Sequence, residues 1–253
     1  MYDTHCHLND KKYENNLSQI ITNYEQNGIE KVICVGFDFE SSVLAQKIAK
    51  ENSSVYFSVG IHPENVADYD EQKLIALLDS DDKKMVALGE LGLDYHYTQD
   101  NKEKQKEVFV KQIKLAKKYK LPIIVHCRDA YGDCLEILKE NAPYQYGGVM
   151  HCFGGSTEWA KEVVKLNFKI SFAGSVTFNN AKNLQDVAKA LDIQDMLVET
   201  DSPYLCPKRG IQNEPKYVQD VAIFIAKLKG FDSEQFINIV DKNALNLFQK
   251  LKN

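Results

Sequence analysis

Pro122-Ile123-Ile124-Val125-His126-Cys127-Arg128 opens on a proline, runs through three apolar β-branched residues and breaks at a histidine, with an arginine two places on. A short apolar run of this kind reads as a strand buried on both faces. It has siblings. Val86-Ala87-Leu88-Gly89 leads to Glu90, Val149-Met150 to His151, and Met196-Leu197-Val198 through Glu199-Thr200 to Asp201. At the N-terminus Asp3-Thr4-His5-Cys6-His7 adds two histidines that would share one strand face. Parallel strands deliver their last side chains to one end of a sheet, so strands ending in His, Glu or Asp gather metal-ligand chemistry on one rim.

Outward from these runs, strand and helix alternate along the chain. Strands are expected at residues 2–5, 31–36, 55–60, 85–90, 122–126, 148–151, 168–172 and 196–200. Helices are expected between them at 17–26, 41–51, 71–80, 103–119, 131–140, 157–165 and 183–190; in the fourth, Phe109, Ile113 and Ala116 fall on one face. Eight strand–helix units in about 250 residues predict an α/β fold, a single TIM (β/α)8 barrel with a C-terminal helical extension, residues 1–253 forming one domain. An open doubly wound sheet is the alternative. The barrel is preferred because histidines and acids mark strands 1, 4, 5, 6 and 8, which only a closed ring brings around one centre. After the eighth strand, residues 202–214 read as a long ordered loop, Asn213 as a helix cap with Pro215 in the first turn, and residues 233–251 as a final amphipathic helix.

Composition frames this without naming a function. Hydrophobic residues are 44% and charged residues 26%, ordinary for a globular protein. No stretch approaches the roughly 18 apolar residues of a membrane span, and the N-terminus lacks the pattern of a signal peptide, so the expected location is cytoplasmic, with no membrane partner and no obligate protein partner implied. The six cysteines contain no C-x-x-C pair and are expected reduced; Cys6, Cys127 and Cys152 each follow a histidine and should pack behind it as small hydrophobes. A net charge of -5 argues against a general nucleic-acid coat but allows a local basic cleft. The chain's two arginines, Arg128 and Arg209, lie just beyond predicted strand ends, where a guanidinium fork suits an anionic substrate.

The candidate residues divide by chemistry. His5 and His7 can hold one cation as a pair. Glu90 can bridge two cations with its two oxygens, and His126 and His151 suit a second. Asp201 can hold the first and take a proton from its water. His62, in Gly60-Ile61-His62-Pro63, is expected to contact substrate, together with Arg128 and Arg209. Asp3 reads as a polar group of the barrel floor or one that orients a ligand from behind, and His96 as ordinary surface. No Walker A loop, H-E-x-x-H or G-x-S-x-G is present.

Taken together, Asp3-Thr4-His5-Cys6-His7-Leu8, Gly60-Ile61-His62-Pro63, Gly89-Glu90-Leu91-Gly92-Leu93-Asp94-Tyr95, His126-Cys127-Arg128-Asp129-Ala130, His151-Cys152-Phe153-Gly154-Gly155 and Glu199-Thr200-Asp201-Ser202-Pro203-Tyr204-Leu205 resemble the TatD family of metal-dependent deoxyribonucleases. Arg209-Gly210 and Asn213-Glu214-Pro215 extend the likeness over essentially the whole chain. The resemblance implies a two-metal hydrolase cleaving DNA phosphodiesters as an exonuclease, in DNA repair or degradation. By matching motif, His5, His7, Glu90 and Asp201 would hold one divalent ion, and Glu90, His126 and His151 the other, with Asp201 and Glu90 catalytic. Mixed imidazole and carboxylate ligands suit Zn, Mn or Co better than Mg. The resemblance also brings a second substrate into view, a D-aminoacyl ester on tRNA cleaved at the same site. A metal-stabilised scaffold without turnover is the non-enzymatic alternative, disfavoured because six ligands shared by two ions leave positions open.

Overall fold

A computed structural model describes residues 1–97 and 100–252. Eight parallel strands follow one another around a barrel in sequence order: β1 (Tyr2–Cys6), β2 (Lys31–Val35), β3 (Val55–Val59), β4 (Met85–Asp94), β5 (Ile123–Arg128), β6 (Gly148–Met150), β7 (Phe168–Phe172) and β8 (Met196–Val198). The seam between β8 and β1 is closed by a Cys6–Ser202 bridge, by the Thr4 hydroxyl donating to the Val198 carbonyl at 2.9 Å, and by Asp3 accepting from Thr200. This is the expected TIM barrel.

Helices α1 (Leu17–Gln26), α2 (Phe39–Glu51), α3 (Glu71–Leu78), α4 (Lys102–Tyr119), α5 (Tyr131–Glu140), α6 (Thr157–Val164) and α7 (Lys182–Ala190) alternate with the strands. Each starts for a local reason or buries a stripe. Asp38 and Ser41 form a reciprocal cap at the start of α2, Asp70 caps α3 and Ser156 caps α6. Phe109, Ile113 and Ala116 face the barrel from α4, as their spacing predicts.

Alternation sorts the strand residues into two cores. Outward-facing side chains such as Val32, Cys34, Phe57, Ile123, Val125, Ile170 and Phe172 pack under the helices. Inward-facing Ile33, Val35, Tyr56, Val86, Ile124, Val149 and Leu197 fill the lower barrel, where Leu247, Phe248 and Leu251 of the chain end plug it from below. That plug is the helical extension: α8 (Val218–Lys229), capped by Gly230 at φ 74°, then α9 (Ser233–Leu247), capped by Asp232, then a 3-10 turn over Gln249–Lys252. The last helix therefore stops four residues short of the expected Leu251. Asn213 does not cap a helix. Its buried amide instead donates to the carbonyls of Thr200 and Tyr204, tying the loop after β8 to the barrel, while Glu214 precedes the 3-10 turn that leads into α8.

Two strands run past their expected ends. β4 continues to Asp94 and β5 to Arg128, because Leu91, Gly92, Leu93 and Asp94 keep pairing with Val125, His126, Cys127 and Arg128 after a register shift between Leu88 and Leu91. Gly89 (φ 154°) and Gly92 (φ 140°) make this bulged path possible; a Cβ on Gly92 would lie 2.0 Å from the His126 carbonyl oxygen. Glu90 is consequently within a strand, at the centre of the barrel mouth.

Candidate metal centre

Above the apolar plug, the inward positions turn polar. Ile124 is followed two residues on by His126, Val149 by His151, and Leu197 by Glu199, so one strand face supplies plug and site alike. Five histidines from four strand ends, His5 and His7 at β1, His62 after β3, His126 in β5 and His151 after β6, meet around Glu90.

Glu90 is 4% exposed and its two oxygens face different histidines. Oε2 lies 3.5 Å from His5 Nε2 and 3.9 Å from His7 Nε2. Oε1 lies 2.9 Å from His151 Nε2, 3.0 Å from His126 Nδ1 and 3.5 Å from His62 Nε2. Asp201 stands on the first side only, with Oδ1 3.4 Å from His7 Nε2 and 3.7 Å from His5 Nε2. Its backbone is held there in a left-handed conformation (φ 55°), its N–H donating to the His5 carbonyl at 2.9 Å.

The electrostatics follow from this crowding. Burial opposes ionisation of Glu90, but the imidazoles of His151, His62 and His126 outweigh it and hold its carboxyl well below the usual carboxylate range. Asp201 is partly buried, and although desolvation opposes its charge, His7, His151 and His5 keep its pKa depressed. Burial also disfavours charge on His62, and with His126 beside it the ring is pushed down to about 3. His126 goes the other way, to about 9, because Asp94 and Glu90 overcome its desolvation.

Imidazole nitrogens crowd one another: His5 Nε2 and His7 Nε2 are 3.2 Å apart, and His126 Nδ1 and His151 Nε2 are 3.3 Å apart. Lone pairs and carboxylate oxygens converging in this way are the donor set a divalent cation satisfies. Ligand atoms of His5, His7 and Glu90, and of His62, Glu90 and His126, each lie within 4.8 Å of one another, a spread that fits a shared ion.

The structure brings His5, His7, Glu90, His126, His151, Asp201 and His62 together. Arg128 stands at the top of β5, exposed, with its guanidinium 4.7 Å from the Tyr97 ring centroid. Arg209 is exposed in the loop after β8 and touches none of these residues among the described ones. Asp3 is buried behind His5, accepting from the Thr200 hydroxyl at 2.5 Å and from the His5 and Thr200 N–H groups; burial pushes its carboxyl up to about 8. His96 is at the surface as expected, 3.0 Å from Asp129. No disulfide joins any of the six cysteines.

Two carboxylates of this centre are not singled out by the strand-ending pattern. Asp94 Oδ2 is 2.9 Å from His126 Nε2, and Glu199 Oε1 is 3.3 Å from His151 Nδ1. Glu199 shares the inward alternation of Leu197, which marks it in the sequence; Asp94 becomes visible only once β4 is known to reach it.

An eight-stranded α/β barrel with imidazoles and carboxylates converging at its C-terminal mouth defines a metal-dependent hydrolase, and known proteins agree. The family model described as TatD related DNase matches residues 2–249. The chain belongs to the TatD family. It is 43% identical to a Bacillus subtilis protein named as the metal-dependent hydrolase YabD, over 98% of this chain and 99% of that one. It is 38% identical to the Escherichia coli metal-dependent hydrolase YcfH, over 98% and 95% of the two chains. Among solved structures, the TatD homologue YJJV of Escherichia coli superposes with a TM-score of 0.94 at 28% identity, over 98% of each chain.

Proposed function

We propose that this hydrolase cleaves DNA phosphodiester bonds with two divalent cations, working from a strand end as an exonuclease in DNA degradation or repair. One observation carries the two-cation part. Glu90 turns one oxygen to His5 and His7 and the other to His126 and His151, the posture of a carboxylate shared by two ions. His5, His7, Glu90 and Asp201 would hold one cation, and Glu90, His126 and His151 the other. Bound there, Zn, Mn, Co or Mg would lower the pKa of a water and neutralise charge on phosphoryl oxygens.

The chain's own groups do the rest. Asp201, kept ionised, accepts the proton of the attacking water. His62, neutral and 13% exposed, faces the mouth and can donate to a phosphoryl oxygen. Arg128 beside the exposed Tyr97 offers a fork for phosphate next to a ring on which a base can stack. Because His5, His7, Glu90 and His151 are all at most 7% exposed, the bond to be cut must enter the mouth, which a strand end does more readily than the middle of a duplex.

End-labelled single-stranded and duplex DNA, incubated with Mg, Mn or Zn in turn, tests the proposal. Glu90→Gln and Asp201→Asn should lose at least about a hundredfold in rate while keeping the wild-type circular dichroism, the scale expected when a general base is removed. Full activity in either variant defeats the assignment. Cleavage of a D-aminoacyl ester on tRNA in place of DNA would move the substrate to the other candidate bond.

A further inference from the structure

The four histidines proposed as ligands differ in what stands behind them. His7 turns its Nδ1 to the neutral carbonyl of Val35 at 3.2 Å, and His5 Nδ1, fully buried, has no hydrogen-bond partner. His126 Nε2 is hydrogen-bonded to the buried carboxylate of Asp94 at 2.9 Å, and His151 Nδ1, which like His5 Nδ1 makes no hydrogen bond of good geometry, has the buried Glu199 carboxylate 3.3 Å away, within ion-pair reach; the two acids are 0% and 1% exposed. Both carboxylates have other work. Asp94 Oδ1 accepts the N–H groups of His96 and Tyr97 at 2.8 and 2.9 Å, and Glu199 Oε1 accepts that of Cys152 at 2.6 Å. Backbone bonds alone would be met by an amide side chain at lower cost, since burying a charge is expensive.

The distribution has a charge logic. Asp201 faces Nε2 of His5 and His7, whereas among the described residues the carboxylate facing both His126 Nδ1 and His151 Nε2 is Glu90, which also faces His5 and His7. A carboxylate behind a ligating imidazole accepts its ring N–H, fixes the tautomer and makes the other nitrogen a stronger donor. We propose that Asp94 and Glu199 are positioning residues for one of the two cation positions. They hold His126 and His151 with the ligating nitrogen toward Glu90 and supply, through the rings, the negative charge that the His5–His7 position receives directly from Asp201. The inference rests on the two-cation reading above and goes beyond it by making the two positions separable.

Zinc titration of the full chain, followed by ring ¹⁵N spectra that report each histidine separately, tests this. In wild type all four rings should respond by two equivalents, with the remaining proton on Nδ1 of His151 and on Nε2 of His126. In Glu199→Gln and Asp94→Asn, His5 and His7 should respond at the wild-type zinc concentration while His126 and His151 require about 10- to 100-fold more. A merely structural role would weaken all four rings together, and that result, like unchanged titration of His126 and His151, overturns the proposal. If loss of the Glu199 charge prevents folding, Asp94→Asn still decides, because its amide oxygen keeps the bonds to His96 and Tyr97. The wild-type spectrum decides alone if the His151 proton is on Nε2. Wild type in which His126 and His151 never respond to zinc removes the two-cation reading and this inference with it. Four responding rings with selective loss in the variants, but no cleavage of DNA, supports the inference while removing the proposed substrate.

Discussion

Where Glu90 sits at the centre depends on two glycines, Gly89 and Gly92, and the second has the tighter contact. Gly92 sits at φ 140° directly against the backbone of His126, in the segment of β4 that resumes pairing with β5 after the bulge. An added methyl would meet the His126 carbonyl oxygen at 2.0 Å, and the nearest atoms are all His126 backbone, with no flexible side chain to yield. Gly92→Ala should therefore destabilise by well over about 1 kcal/mol, since both the torsion and the contact oppose it; urea denaturation measures this, and a variant as stable as wild type would mean that β4 follows another path. At this scale the proposed ligands are legible because apolar runs stop at or just before Glu90, His126, His151 and Asp201, and because His5 and His7 share one strand face. Glu199 is marked only by sharing the alternation of Leu197, and Asp94 is not marked at all, because its place behind His126 depends on how far β4 goes on pairing with β5.

At the scale of elements, α4 steadies the mouth from outside the barrel. It buries two glutamines seven residues apart, on one helix face, each holding a piece of backbone with both ends of its amide. Gln112 accepts from the Ile61 N–H at 2.9 Å and donates to the Ile61 carbonyl at 3.0 Å; Gln105 does the same for Asp94 at 2.8 and 2.9 Å. Ile61 precedes His62, and Asp94 backs His126, so one helix fixes the approach to two members of the centre. Gln112→Leu would fill the space but leave two buried backbone groups unpaired, at about 1–3 kcal/mol each. Its melting temperature should fall, and amide exchange at Ile61, slow in wild type, should become fast; unchanged exchange would show that the clamp is not needed. Periodicity made the helices and strands legible to within a few residues, because apolar spacing depends only on local geometry. Their ends were less so: β4 and β5 are prolonged by each other, and Asn213 serves the loop carrying Asp201 through carbonyls that no local pattern reveals.

For the molecule as a whole, the barrel is stable at its floor and costly at its mouth. The lower barrel is closed by Leu247, Phe248 and Leu251 from the chain end, while the upper barrel buries Glu90, Asp94 and Glu199, with Asp201 partly buried, among five imidazoles. No helix among the described residues is long and apolar enough to cross a membrane. A cation that binds this mouth only in the folded chain adds its binding free energy to stability. At a free concentration a hundredfold above Kd that is about 2.7 kcal/mol. For a chain of this size each kcal/mol moves the midpoint by roughly 2–4 °C, so saturation with Mn or Zn should raise Tm by roughly 5–10 °C, and chelation should reverse it. On the proposed two-cation reading Glu90 serves both positions, so Glu90→Gln should lose most of that shift, whereas Arg128→Ala, at the exposed rim, should keep it and lose only affinity for the proposed DNA substrate. A metal-induced shift that survives in Glu90→Gln would place the stabilising ion elsewhere in the barrel.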